Sequence, residues 1–327
     1  MPELPEVEVV RRGVDRWAAG RRVHSVQVHD LRSLRRHAPS IPDVQERIES
    51  FSAALRGSIL LAPQRRGKFL WIPLQPSSDS PRQANRVEQI GPDPQAGPAH
   101  ALLIHLGMSG QVLINTPETL PQRHLKITLG LTAEGEAPSQ LRFIDQRIFG
   151  GMQISELVAS THPSGTVPVA ASHIAADPLE PSMDAEVFFR TLRRRKTGLK
   201  RALLDQTMIS GIGNIYADEA LWHAQLHYTR PTETITRSEA SRLLRSVESV
   251  MAAALAAGGT SFDSLYVNVN GASGYFDRSL QSYGRAGQPC RRCAGTPRAA
   301  VIRRDPFMGR SSYWCPTCQP RPRRARG

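Results

Sequence analysis

CRRCAGTPRAAVIRRDPFMGRSSYWCPTC, residues 290 to 318, contains all four cysteines of a chain of 327 residues. They form two Cys-x2-Cys pairs, Cys290 with Cys293 and Cys315 with Cys318, separated by 21 residues. Each pair can bring two thiolates to one tetrahedral Zn2+, and an intervening segment of this size closes as a β-hairpin. Two disulfides would use the same residues, but a cytosolic chain has little use for them. Four protein ligands leave no open position, so one structural zinc ion is expected and no catalytic one. Arg291, Arg292, Arg298, Arg303, Arg304 and Arg310 lie within the segment, which makes the hairpin a natural phosphate-binding device. A zinc knuckle alone does not distinguish DNA from RNA or protein.

Upstream of the hairpin the charge is unevenly spread. The chain holds 42 Lys+Arg against 29 Asp+Glu, a formal net charge of +13. Residues 1–182 carry 19 basic and 18 acidic side chains, whereas residues 183–327 carry 23 and 11. A polyanion partner is expected, gripped by the second half. The 40% hydrophobic content excludes a wholly disordered chain. No run approaches the ~18 to 20 apolar residues of a membrane span. The first residues lack a basic-then-apolar leader, so a cytoplasmic location without membrane association is expected. The Pro-, Ser- and Ala-rich stretch 161–182 fits a linker between a domain at 1–160 and a helical domain at 183–282, followed by the finger at 283–320 and a basic, disordered tail at 321–327.

The local patterns agree with that division. Pro5 suits a first helical turn, Glu6 and Glu8 sit where the helix dipole favours anions, and Val7, Val10, Val14 and Trp17 recur at helical spacing up to Gly20. From there to about residue 155 the pattern is mostly β. In LKITLGL, Leu125, Ile127, Leu129 and Leu131 alternate with Lys126, Thr128 and Gly130, and GKFLWIPL and ALLIHLGMSGQVLI are short apolar runs of the kind found in a sandwich or barrel. The loop 75–100 lengthens a turn. After the linker the period becomes helical: AEVFFRTLRRR and LKRALLDQ are short helices, and GIGNIYADEALWHAQL is a Gly-rich turn entering a helix. Residues 237–257 form the strongest helix, with a capping box from Thr236 and Glu239 and a stop at Gly258-Gly259.

MPELPEVE at residues 1–8 together with the cysteine pattern resembles the formamidopyrimidine-DNA glycosylase family. The likeness continues in order through QRRGKFL (64–70), HLGMSG (105–110), DQRIFG (145–150), KTGLK (196–200), GIGNIYADE (211–219), GGTSFDSLYVNVNGASGYF (258–276), YGR (283–285) and GRSSYWCPTCQ (309–319). The resemblance implies an α+β multidomain fold: an N-terminal helix on a β-sandwich, a helical helix-two-turn-helix domain and a C-terminal zinc-finger β-hairpin. It implies a monomeric bacterial enzyme associated with the nucleoid, which removes oxidised purines from damaged double-stranded DNA and cleaves the resulting abasic site, with no organic cofactor.

The same resemblance assigns roles to residues. Met1 precedes a small residue and is expected to be removed, leaving Pro2 as a secondary α-amine. An α-amine has a reference pKa of roughly 7.7 to 8.0, so part of it is unprotonated near neutral pH. Its attack on the sugar C1′ gives an iminium that is cationic without further protonation, which makes the C2′ hydrogen acidic. Glu3 resembles the family's acid/base residue, a role that calls for burial. Lys68 matches the lysine that assists β-elimination, and Arg310 the finger arginine of δ-elimination. His105, His124, Lys196, Lys200, Asn214 and Tyr283 fall on the expected DNA-facing surface. Met108, Arg147 and Phe149 match the wedge that fills the space left by an everted nucleotide. Gln146 and Ile148 depart from the usual Asp-Pro-Arg-Arg-Phe-Gly, which puts the rigidity of that loop in question. The segment 267–275 aligns with a mobile loop over the everted base. Leu4 stands where the related endonuclease VIII tends to have Gly, favouring purine over pyrimidine lesions. A zinc-dependent DNA-binding protein without catalysis is the alternative from another class, and it would have no need of Pro2-Glu3 at the chain end.

Overall fold

The computed structural model describes residues 2–76, 97–133, 135, 137–160, 165–259, 269 and 279–326. They fall into two compact units. The first is built of residues 6–172 with Pro2 and Val269, the second of 173–259 and 279–326 with Glu3–Pro5.

In the first unit, helix α1 (Leu4–Ala18) turns Val7, Val10, Val14 and Ala18 into the core, the face read from the sequence. All strand pairs are antiparallel. One sheet has the order β1 (Val23–Val28), β7 (Leu125–Leu131), β8 (Gln140–Asp145), β6 (Gly110–Asn115). The other runs β10 (Thr166–Pro168), β9 (Gly151–Ala159), β5 (His100–His105), β4 (Phe69–Gln75), β2 (Ile59–Leu60), with β3 (Gln64–Arg66) hairpinned onto β4. Leu60, Ile72, Leu102 and Ile104 from the second sheet and Val112, Ile127, Leu129, Leu141 and Phe143 from the first share one buried cluster with α1, as expected of a sandwich with a helix on it.

Three features differ from the sequence reading or extend it. Helix α2 (Val44–Leu55) interrupts the stretch read as β. The Asp43 side chain accepts the Glu46 N–H at its start, and Phe51 and Leu55 are fully buried. The stretch 161–182 is not devoid of regular structure, since β10 adds Thr166–Pro168 to the edge of β9. Leu74 pairs with His100, so the insertion joins neighbouring strands; residues 77–96 lie outside the described residues.

The second unit contains α3 (Ala185–Arg194), α4 (Leu199–Leu203), α5 (Asn214–Ala224) and α6 (Arg237–Ala256). Asp184 caps α3 through the N–H groups of Glu186 and Val187, and both halves of the Thr236–Glu239 capping box are formed at α6. Leu243, Leu244, Val247, Val250 and Met251 of α6 pack against Tyr216, Ala217, Ala220 and Leu221 of α5 in one core. The finger hairpin pairs β11 (Arg303–Phe307) with β12 (Arg310–Trp314) through a turn at Met308–Gly309. The tail is more ordered than its composition suggests. Arg326 donates from its backbone to the Thr229 carbonyl at 2.8 Å and from its side chain to the Lys196 carbonyl at 2.9 Å, and it pairs with Glu233. Among the described residues no helix is long and apolar enough to cross a membrane.

Candidate active site and metal centre

The second unit is organised around α5. Four N–H groups at the start of any helix lack partners within it, and here a carboxylate from the far end of the chain takes up three of them. Glu3, 3% exposed, accepts from Gly213 N at 2.6 Å, Ile215 N at 3.0 Å and Tyr216 N at 3.4 Å. The helix dipole adds to the attraction. All three are N–H groups donating to the carboxylate oxygens. The Gly-rich turn exists to allow this approach: a Cβ on Gly213 would lie 2.3 Å from the Glu3 carboxyl carbon, and one on Gly211, whose φ is +88°, would lie 2.6 Å from Leu4.

Two further acids of α5 were not singled out by sequence. Asp218 and Lys200 are both fully buried and joined at 2.7 Å. Burial pushes the Asp218 carboxyl up and the Lys200 ammonium down, and each charge opposes the other's shift. Asp218 also accepts from Tyr313 N at 3.1 Å, while Lys200 donates to the Ser311 carbonyl at 2.9 Å and Asn214 to the same oxygen at 3.1 Å. Glu219 accepts from the backbone N–H groups of Gln281, Ser282 and Tyr283, each at 2.8 Å. Adjacent carboxylates thus hold both the chain entering the finger and the strand β12. Lys200, read as DNA-facing, is placed in this clamp with its charge already matched. Asn214 and Tyr283 are half-buried beside it, whereas Lys196 and Arg310 are exposed.

The four cysteines converge. Their sulfurs all lie within 4.8 Å of one another, with Cys290 to Cys318 at 3.8 Å and Cys293 to Cys315 at 3.7 Å. Tetrahedral ligands about 2.3 Å from a zinc ion would stand roughly 3.8 Å apart, so the cluster fits a four-thiolate metal. Burial would raise the Cys290 thiol, but hydrogen bonds from the Cys293 backbone and the Trp222 indole bring it down to about 6.

In the first unit, Gly67 and Lys68 form the two-residue turn between β3 and β4, with Gly67 at φ +54° and Lys68 half-buried. His105 Nδ1 accepts the Gly107 N–H at 3.1 Å. Burial, reinforced by Arg36 and Arg35, lowers its pKa to about 4, so the ring is neutral at physiological pH. Met108 and Phe149 are 37% and 52% exposed, and Arg147 is exposed as well. Apolar side chains held out on loops are unlike core residues. His124, half-buried at φ +68°, gives its carbonyl to Asp145 N at 3.1 Å. Asp145 in turn accepts from the Ser109 hydroxyl at 2.5 Å, Arg147 N at 3.2 Å and Gly150 N at 2.7 Å. Arg35 donates to the carbonyls of Ile148 and Phe149. The loop is therefore tied from both sides without the proline that Gln146 replaces. Ile148 takes φ +58°, an unfavourable value for a β-branched residue. The segment 267–275 lies outside the described residues except for Val269, whose carbonyl accepts the Ile114 N–H at 2.9 Å.

Fold and site define a helix-two-turn-helix protein closed by a four-cysteine hairpin. Residues 1–152 match the family model of the formamidopyrimidine-DNA glycosylase N-terminal domain, and residues 174–265 that of the formamidopyrimidine-DNA glycosylase H2TH domain. The chain is 53% identical over 328 residues to the formamidopyrimidine-DNA glycosylase of Parafrankia sp. (strain EAN1pec) and 52% identical over 330 residues to that of Thermobifida fusca (strain YX), each alignment covering 100% of both chains. Among solved structures, the MutM (Fpg) protein from Thermus thermophilus aligns with a TM-score of 0.72 at 30% identity, covering 97% of this chain and 98% of that one. The Lactococcus lactis Fpg in complex with abasic-site DNA aligns with a TM-score of 0.74 at 26% identity, covering 98% and 100%. The chain belongs to the formamidopyrimidine-DNA glycosylase family.

Proposed function

We propose that the protein is a base-excision-repair DNA glycosylase that removes oxidised purines, 8-oxoguanine and formamidopyrimidines, from duplex DNA and then acts as a lyase on the abasic site. The observation that carries the reading is the seat of Glu3: a carboxylate next to Pro2 in the chain is buried on the helix N-terminus of the Gly-rich turn. With Met1 removed, the Pro2 nitrogen attacks C1′. The glycosidic bond breaks with its electron pair leaving on the base, and an iminium joins Pro2 to the opened sugar. Glu3 handles the protons of ring opening. Loss of the C2′ proton, assisted by Lys68, expels the 3′ phosphate, and a second elimination assisted by Arg310 expels the 5′ phosphate. Water then releases Pro2. His105, His124, Lys196, Asn214 and Tyr283 serve the phosphate backbone, with Met108, Arg147 and Phe149 as the wedge. Lys200, buried against Asp218, acts on that surface only indirectly, by holding the strand at Ser311. Cys290, Cys293, Cys315 and Cys318 hold one structural Zn2+, a choice favoured by an all-thiolate donor set. It supplies cross-linking of the hairpin.

The test is borohydride trapping of the full-length, Met1-processed protein on an 8-oxoguanine duplex, beside an oxidised-pyrimidine duplex. A covalent adduct on the first, absent in Pro2→Gly, supports the reading. Its absence in the unaltered protein refutes the chemistry, and a stronger adduct on the pyrimidine lesion refutes the specificity.

A further inference from the structure

Helix α5 is closed at both ends by residues from elsewhere in the chain. Glu3 occupies its N-terminus. At its C-terminus stands Arg292, from between the cysteines of the first pair. Its guanidinium lies 3.7 Å from the centre of the Trp222 ring and donates to the Trp222 carbonyl at 2.7 Å. The last carbonyls of a helix lack partners within it, and a cation there also meets the negative end of the dipole. Trp222 is 5% exposed, and its indole N–H can only donate. A buried N–H left without an acceptor costs about 1 to 3 kcal/mol. The acceptor it finds is Cys290 Sγ at 3.3 Å, on one of the two fully buried cysteines of the cluster.

We propose that Trp222 is a positioning residue of the metal centre: its indole N–H donates to the Cys290 thiolate and, with Arg292 packed on its ring, fastens the first cysteine pair to the C-terminal end of the helix that seats Glu3. This rests on the reading of the four thiolates as a zinc site. A thiolate bound to Zn2+ keeps lone pairs and much of its charge. An N–H donor satisfies that charge and fixes the direction of the sulfur. Partners of this kind are worth roughly 10- to 100-fold in metal affinity. The link also makes metal retention and the placement of α5 parts of one structure, because α5 at about 1.5 Å per residue spans the distance from the metal pair to Glu3 as a rigid rod.

Trp222→Phe removes the donor and keeps an aromatic face for Arg292, at the cost of part of the buried ring volume, so the thermal stability of the two loaded proteins is compared alongside. The full-length protein and this variant are loaded with Zn2+ and challenged with 4-(2-pyridylazo)resorcinol. The variant is expected to lose metal roughly 10- to 100-fold faster. With Co2+ in place of zinc, its sulfur-to-cobalt charge-transfer bands should move to longer wavelength, since an undonated thiolate is easier to oxidise. Equal release rates with unmoved bands overturn the proposal. So does an outcome in which Arg292→Met gives the whole effect and Trp222→Phe gives none, because the cation alone would then hold the pair. A full-length wild-type protein that binds no Zn2+ overturns the zinc reading and this proposal with it.

Discussion

At the scale of single residues, hydrogen-bond geometry limits what each site can do. The Glu3 seat presents three backbone N–H donors, so Glu3→Gln turns an amide NH2 towards them and, on the proposed mechanism, removes the proton carrier at once. Single-turnover excision of 8-oxoguanine should slow by about 10²- to 10⁴-fold, the range for losing a general acid or base. Borohydride trapping on preformed abasic DNA should survive, because that reaction needs Pro2 and no base departure. Equal losses in both assays would assign Glu3 a purely architectural role. The histidines make a second, pH-dependent prediction. His105 and His227 both have pKa values lowered to about 4, chiefly by burial, and each accepts a backbone N–H at Nδ1. The unfolded chain holds those protons at about 6.5. Their contribution to stability is therefore complete above pH 6.5 and is lost as pH falls from there through 4, with proton uptake on unfolding. Denaturant midpoints across this window should fall with acidification, and His105→Asn should flatten the slope by about one proton. A parallel slope in the variant would show that His105 titrates normally.

At the scale of elements, the buried pair of α5 and α4 ties the finger strand to the helices at Ser311 and Tyr313. Removing one member of a buried ion pair strands the other, at about 3 to 5 kcal/mol. Asp218→Asn should lower the unfolding free energy by that order and should speed amide exchange along β12 more than along α6. The double change Asp218→Leu with Lys200→Met, which strands no charge, should recover most of the loss. If it recovers none, the N–H of Tyr313 and not the ion pair is what Asp218 serves. This clamp also marks where sequence stopped being informative. The four cysteines were legible because metal-ligand spacing encodes geometry directly, and α1 and α6 because their periodicity and caps are local: Thr236 and Glu239 are three residues apart. Helix α2 carried its own signals, the Asp43 cap with Ile48, Phe51 and Leu55 on one side, but it lay within a region dominated by alternating apolar runs. Asp218 and Glu219 lie within GIGNIYADE, but nothing local marked them as buried, since two acids on a helix ordinarily face water. Their partners at Gln281 to Tyr283 and at Tyr313 lie more than 60 residues away in the chain. The same holds for Arg35, whose grip on the carbonyls of Ile148 and Phe149 spans more than 110 residues and substitutes for a missing proline.

At the scale of the whole molecule, the net charge of +13 is concentrated in residues 183–327, and the structure divides that excess by function. Lys200 is neutralised inside the protein, Arg292 closes a helix, and Arg326 is tied to Thr229, Lys196 and Glu233. None of these three is available to phosphate in the way the raw count suggests. Arg321, Arg323 and Arg324 are exposed and belong to a tail whose end is anchored, so they form a basic patch in a fixed place and not on a free strand. Each phosphate neutralised by a cation contributes about 0.9 to the slope of log affinity against log salt. Changing these three arginines to alanine should therefore reduce the salt slope for undamaged duplex by up to about 2.7. Excision from saturating lesion DNA should stay within about twofold, because phosphate contacts of this kind set affinity without specifying the base. Titrations at several salt concentrations measure the first quantity, and single-turnover excision the second. An unchanged slope would place the patch off the DNA. Arg326→Ala separates anchoring from charge: one lost charge alone predicts a slope change of at most about 0.9. A larger change would mean that the anchor, by placing the other three arginines, determines how many of them reach phosphate.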